Sequence, residues 1–185
     1  MPDPLTSKTL AAASPGPGRD HNRTLLAQCR AMILTLDAGQ MAARPTASPE
    51  NTLGNHFRHI LDHYAALLAG VSSGVIDYSD RHRGTCCERT PQIALERLAT
   101  TDQALADLPG DLADTELLLV RDHGSRIPSS LVRELDFVAS HTTHHLAMVA
   151  LLASAQGIMV PTDIGVSVST LRAREETRAQ RKLAE

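Results

Sequence analysis

Two tyrosines, two phenylalanines and no tryptophan in 185 residues leave Leu, Ala, Val, Ile and Met to fill the core. Packed helices suit such a core, because leucine and alanine also favour helix intrinsically. Sheets suit it poorly, since strands draw on β-branched and aromatic residues. The length fits one domain, and 42% hydrophobic residues suffice for a core of ordinary size. The formal charge of −3 comes from interspersed Arg and acidic residues, with no basic stripe that would mark a nucleic-acid footprint. No N-terminal apolar run is long enough for a signal peptide or a membrane span. Three cysteines do not make a disulfide framework, so a cytoplasmic protein is expected.

Residues 1–19, rich in Pro, Ala, Ser and Gly, read as a disordered tail. From about Asp20 the residues Leu25, Leu26, Cys29, Met32, Ile33 and Leu36 recur at three- and four-residue steps, a helical pattern that stops before Pro45. A second helix starts near Thr52, carries the stripe Leu53, Phe57, Ile60, Leu61, Tyr64, Leu67, and ends around Gly70. Residues 72–89 form a long polar connection, of the kind that is often functional. Thr90 with Pro91 opens a third helix, which runs to Pro109-Gly110. Glu116 to Arg121 reads as a short strand, with Arg126-Ile127 pairing back as a hairpin. A fourth helix begins near Ser129 or Ser130 and continues to Gly157, and Ser169 or Thr170 caps a last charged helix. The expected architecture is all-α, a four-helix bundle over residues 20–172 with a small β-hairpin before its fourth helix and a charged helical tail at 173–185.

Six of the nine histidines fall within residues 56–63 and 141–145. At about 100° per residue, His56, His59 and His63 share a narrow sector beside the apolar stripe of the second helix. His141 and His145 sit four apart on one face of the fourth helix, and Glu134 points the same way. His144 lies about 60° to one side of His141 and reads as a surface residue. A lone histidine beside a core stripe is usually a satisfied polar group. Two such segments bordering one core are better explained by a shared ion, since unpartnered buried imidazoles cost roughly 1–3 kcal/mol each. A pair at helical spacing with a third imidazole from a facing helix leaves positions open for water or substrate, as catalytic sites do. Spacing alone leaves His59 and His63 equal.

Asn55-His-Phe-Arg-His-Ile-Leu-Asp62, followed by His141-Thr-Thr-His-His145-Leu, resembles the DinB-like (YfiT-like) metal-binding four-helix family. That family places one histidine on the second helix, often with Asp three residues on, as in His59 and Asp62, and an HxxxH pair on the fourth. The related N-terminal domains of ergothioneine-type sulfoxide synthases carry His-x-x-His in helix two, matched by His56 and His59. The resemblance spans roughly residues 22–172 and implies His59, His141 and His145 as ligands of a divalent zinc, nickel or iron ion. It further implies a homodimer and a thiol-dependent transferase or a metal-dependent hydrolase, acting on a small-molecule substrate or with a low-molecular-weight thiol. His63 is additional to the family pattern, with a fourth ligand, a proton shuttle and a packed neighbour as equal readings, and His63 and Glu134 are the candidates for general base or orienting partner. Tyr78 and Arg81 on the long connection are candidate substrate contacts, and an ordinary polar loop is the competing reading. Cys86 and Cys87 read as loop thiols and Cys29 as a core residue. Two other classes stay open at this point: a metal-binding, stress-associated protein without a substrate, and a helical interaction module whose histidines only pack.

Overall fold

The computed structural model describes residues 16–46, 48–79, 85–108 and 115–183. The chain is mostly helical with a small three-stranded sheet: α1 Gly16–Ile33, α2 Ala38–Ala42, α3 Leu53–Ser73, β1 Val75–Ile76, a 3-10 turn Cys86–Glu88, α4 Pro91–Ala106, β2 Glu116–Val120, β3 Arg126–Ser130, α5 Leu131–Ala155 and α6 Val168–Leu183. Among the described residues no helix is long and apolar enough to cross a membrane.

Four long helices enclose the core, with α1 packed on α4 and α5, and α3 packed on α4 and α5. Leu26, Met32, Phe57, Ile60, Tyr64, Leu67, Leu105, Leu146 and Val149 are fully buried there. The shortage of aromatics is resolved by position. Phe57 and Tyr64 lie in the core, and Tyr78 and Phe137 flank the histidines. A buried polar thread ties three helices together. The Asn22 amide donates to the Gly18 and Leu135 carbonyls, the Tyr64 hydroxyl donates to Asn22 Oδ1 at 2.8 Å, and Thr142 donates to Tyr64. Asn22 and Thr142 are both fully buried, so this thread fixes how α3 lies against α5 beside His141.

The helix starts are set by side chains. Thr52 Oγ1 accepts the Asn55 amide and caps α3, and Ser130 Oγ accepts the Arg133 amide and caps α5. Gly74, at φ 78°, closes α3 in the left-handed conformation. Near the start of α3, a Cβ on Gly54 would lie 1.8 Å from the Glu88 carbonyl, so only glycine lets the 3-10 turn press against the helix.

The sheet pairs β1 parallel to β2 through Val75 and Leu118, and β2 antiparallel to β3 from Glu116–Ser130 to Val120–Arg126. Ser130 is both the last residue of β3 and the N-cap of α5, so the hairpin runs into the helix with no loop.

Four features differ from the sequence expectation. Helix α1 already starts at Gly16, within the stretch 1–19 expected to be a disordered tail, and residues 1–15 of that stretch lie outside the described residues. The first helical run ends at Ile33, because Asp37 and Gln40 form a capping box that starts a separate short helix at Ala38. The polar connection after α3 carries β1, which Leu118 and Leu119 of the hairpin draw into the sheet. The last helix starts at Val168, where Ser167 Oγ accepts the Thr170 amide, ahead of the Ser169 or Thr170 start that its sequence suggests.

Candidate metal centre

The histidines of α3 and α5 meet because these two helices pack side by side and each presents imidazoles at three- and four-residue steps. His59 Nε2 lies 3.0 Å from His141 Nε2 across the helix interface. His145 completes a triangle with this pair: its ring centroid is 4.5 Å from that of His59 and 4.5 Å from that of His141, and His59 and His141 are 4.9 Å apart. The three rings are steeply inclined to one another, at 62° to 74°. Imidazoles bound to one ion at roughly 2.0–2.1 Å place their centroids roughly 4.5–5.2 Å apart, so the triangle has the size of a ligand set.

His63 joins the same cluster differently. One nitrogen each from His59, His63 and His141 lie within 4.8 Å of one another, so donor distance alone selects this trio. Its ring, however, stacks on His141 at 3.9 Å and 24°, side by side rather than converging. The donor nitrogens thus bring His63 together with His59 and His141, while the ring centroids bring His145 to the same pair. The His63 Nδ1–H donates to the His59 carbonyl at 2.9 Å. A carbonyl can only accept, so this bond puts the proton on Nδ1 and makes Nε2 the acceptor nitrogen of His63.

His56, one turn before His59, is buried, and its Nδ1 faces His145 Nδ1 at 2.9 Å. Its Nε2 is buried with no hydrogen-bond partner among the described residues. Leaving such a group unpaired costs roughly 1–3 kcal/mol. Burial, reinforced by charge on His141, His56, His144 and His63, pushes the His145 imidazole down to about 3. Burial and His144 lower His56 as well. Both rings are therefore neutral at physiological pH, the state in which imidazole binds a cation.

Around this cluster stands an aromatic and carboxylate layer. Tyr78 stacks on His63 at 5.2 Å and 14°, and Phe137 stacks on His141 at 5.9 Å and 25°. Glu134 is fully buried and accepts from the Tyr78 hydroxyl at 2.9 Å, from Ser129 Oγ and from Arg133 Nη1 at 2.6 Å. Burial and the Glu134 charge raise the Tyr78 phenol far above its ordinary value, which keeps it a donor. Glu134 thus meets the cluster through Tyr78 and His63. Arg81, the other candidate substrate contact, lies outside the described residues. His144 is exposed on α5, as its helical phase predicts. A cleft of about 410 Å³, lined by Glu50, Asn51, Asn55, His56, Arg58, His59 and His145, opens onto the histidines.

The sequence reading placed His56 beside His59 without making it a site residue, and it gave Phe137 and Ser129 no part in the site. The signal for His56 was present, since it shares the helical sector of His59 and His63. Asp62, three residues after His59 as in the family pattern, faces away from the histidines and pairs with Arg58 Nη1 and Arg97 Nη2, each at 2.6 Å.

The cluster suits a divalent cation: imidazoles from two helices come together, and the tautomer of one of them, His63, is fixed by a carbonyl. The family model described as the DinB superfamily matches residues 21–149, which include every histidine of the cluster. The chain belongs to the DinB superfamily. Helix α6 and the segment before it lie outside the matched DinB region. One curated relative is FK506-binding protein 5 of Rhizopus delemar, 28% identical over 129 residues. The alignment covers 66% of this DinB-superfamily chain and 33% of that protein, so the chain spans about a third of the length of the curated relative it matches. No solved structure matches the chain.

Proposed function

We propose that this DinB-superfamily chain is a small metalloenzyme with a four-helix-bundle scaffold, in which His59, His141 and His145 hold one divalent ion. The observation that carries the reading is the triangle of three steeply inclined imidazoles, 4.5 to 4.9 Å apart, contributed by two helices. A bound zinc, nickel or iron ion supplies a Lewis-acidic centre that lowers the pKa of a coordinated water or thiol.

The protein's own residues provide the rest. His63 offers its Nε2 lone pair beside the triangle and takes the proton released by the nucleophile. Tyr78 holds the His63 ring in place by stacking, and its hydroxyl is anchored on Glu134. Glu134 is held by three donors, so it anchors that layer and is not the base. The cleft beside His59 and His145 admits a small polar molecule, with the Asn51 and Asn55 side chains on its wall. The thiol-dependent transferase or hydrolase chemistry implied by the family resemblance fits such a cleft.

Metal analysis of tag-free protein tests the first half of this reading: one ion per chain is expected, and none in His141→Ala. Absence of a stoichiometric ion in the wild type would leave only a packing role for the histidines. Turnover of electrophilic substrates with and without a low-molecular-weight thiol tests the second half. A loaded protein that is inert in both assays, and towards hydrolysable esters and amides, would be a metal-binding protein without catalysis.

A further inference from the structure

Resting on the metal reading above, we infer that His56 is a positioning residue: it accepts the Nδ1–H of His145 and so turns the Nε2 of that imidazole towards the ion. Neutral imidazole carries one proton, and a nitrogen that holds a cation cannot carry it. If His145 presents Nε2 to the triangle, its proton sits on Nδ1, and the atom facing Nδ1 at 2.9 Å is His56 Nδ1. Metal-binding histidines regularly donate their second nitrogen to an outer partner, usually a carboxylate or a carbonyl, which fixes the tautomer and raises ligand basicity. Here another imidazole occupies that place. The assignment fixes the His56 tautomer too: its Nδ1 accepts, so its proton is on Nε2, the atom that is buried without a partner.

That orphaned N–H is the second observation behind the assignment. His56 is 7% exposed and borders Leu53, Phe57 and Ile60 on a core-facing helix, where an apolar side chain would leave no buried polar atom unpaired. A position that retains an unsatisfied imidazole at a site suited to leucine is held by something other than stability. The hydrogen bond to His145 is the role that the geometry offers.

Zinc affinity and folding stability, measured on the same variants, separate positioning from packing. His56→Leu should weaken zinc binding 10- to 100-fold in a chelator competition, while the urea midpoint of the metal-free protein stays equal to wild type or rises. His56→Gln, whose Oε1 can accept the same N–H, should recover most of the affinity. Wild-type affinity in His56→Leu would overturn the inference, as would equal losses of affinity in the Leu and Gln variants. If His56→Leu does not fold, the Gln variant against His56→Met carries the same comparison. Failure of the wild-type protein to bind zinc would remove the metal reading itself, an outcome that none of the variant results resembles.

Discussion

Helix α3 carries two buried polar clusters on different sides, and they solve burial in opposite ways. On one side Arg58 lies between Asp62 and Glu88, with Nη1 2.6 Å from Asp62 and Nε 2.7 Å from Glu88, and Arg97 reaches Asp62 from α4. Opposite charges compensate one another there, and Arg97 Nη1 also donates to Cys87 Sγ. On the other side His56, His59 and His63 meet His141 and His145. Five imidazoles are chemically alike, so they pair through single protons and cannot neutralise one another. Buried charges of both signs make a closed structural unit. A concentration of neutral bases makes a unit that is completed by a cation from outside. The difference separates scaffold from site along a single helix.

The largest expected effect is on the histidine side. His59→Ala should reduce zinc affinity by more than about 100-fold, beyond the loss typical of an outer partner, with little change in the urea midpoint of the metal-free protein. A large fall in that midpoint would make His59 a structural residue like Asp62 and erase the contrast. Asp62→Ala should do the reverse. It removes the carboxylate that Arg58 and Arg97 share, leaves Glu88 as the carboxylate beside buried Arg58 and should cost about 3 kcal/mol in urea unfolding, while the protein that remains folded still binds one ion. Loss of the ion in Asp62→Ala would mean that the two clusters are one.

Acid should act on the histidine side first. His145 titrates at about 3 in the fold against an ordinary value of 6.5, so between these values the unfolded chain binds more protons than the folded one. The stability that this group contributes is therefore present above about 6.5 and is lost as pH falls towards 3. The metal-free protein should show a falling urea midpoint across that window, and bound ion should shift the fall to lower pH. A midpoint flat from 6.5 down to 4 would contradict the burial of this ring. The smallest effect is expected for Tyr78→Phe, which keeps the stack on His63 and removes one bond to Glu134, at about 1–2 kcal/mol. Its sharper readout is the pH profile of any turnover, which should shift if Tyr78 anchors the ring of the base.

Much of this contrast was legible in the sequence, and the illegible part has a physical reason. Thr52, Ser130, Pro91 and Gly157 mark helix ends through short-range chemistry: the first three start or cap their helices, and Gly157 takes the left-handed conformation just past the cap of α5. Helical phase alone put His59, His63, His141 and His145 towards a shared interface. What phase cannot give is the rotation of a ring about its own bonds. The stacking of His63 on His141, the inclined triangle with His145 and the facing Nδ1 atoms of His56 and His145 are all side-chain geometry set by the α3–α5 packing. The pairing of Asp62 was illegible for a similar reason, because its partner Arg97 is 35 residues away on another helix. Strand β1 was illegible because two residues, Val75 and Ile76, carry no periodicity, and only pairing with Leu118 and Leu119 makes them a strand.

The direct join of β3 to α5 at Ser130 sets the azimuth at which the fourth long helix leaves the sheet. With no spacer to absorb an error, one extra residue at that seam would turn the rail of histidines by about 100° relative to the hairpin. His141 and His145 would then sweep away from α3 unless the strands slipped register to compensate. The small sheet therefore acts as an indexing key for the helix it feeds, and the length of the hairpin is as much a determinant of the cation site as the imidazoles themselves.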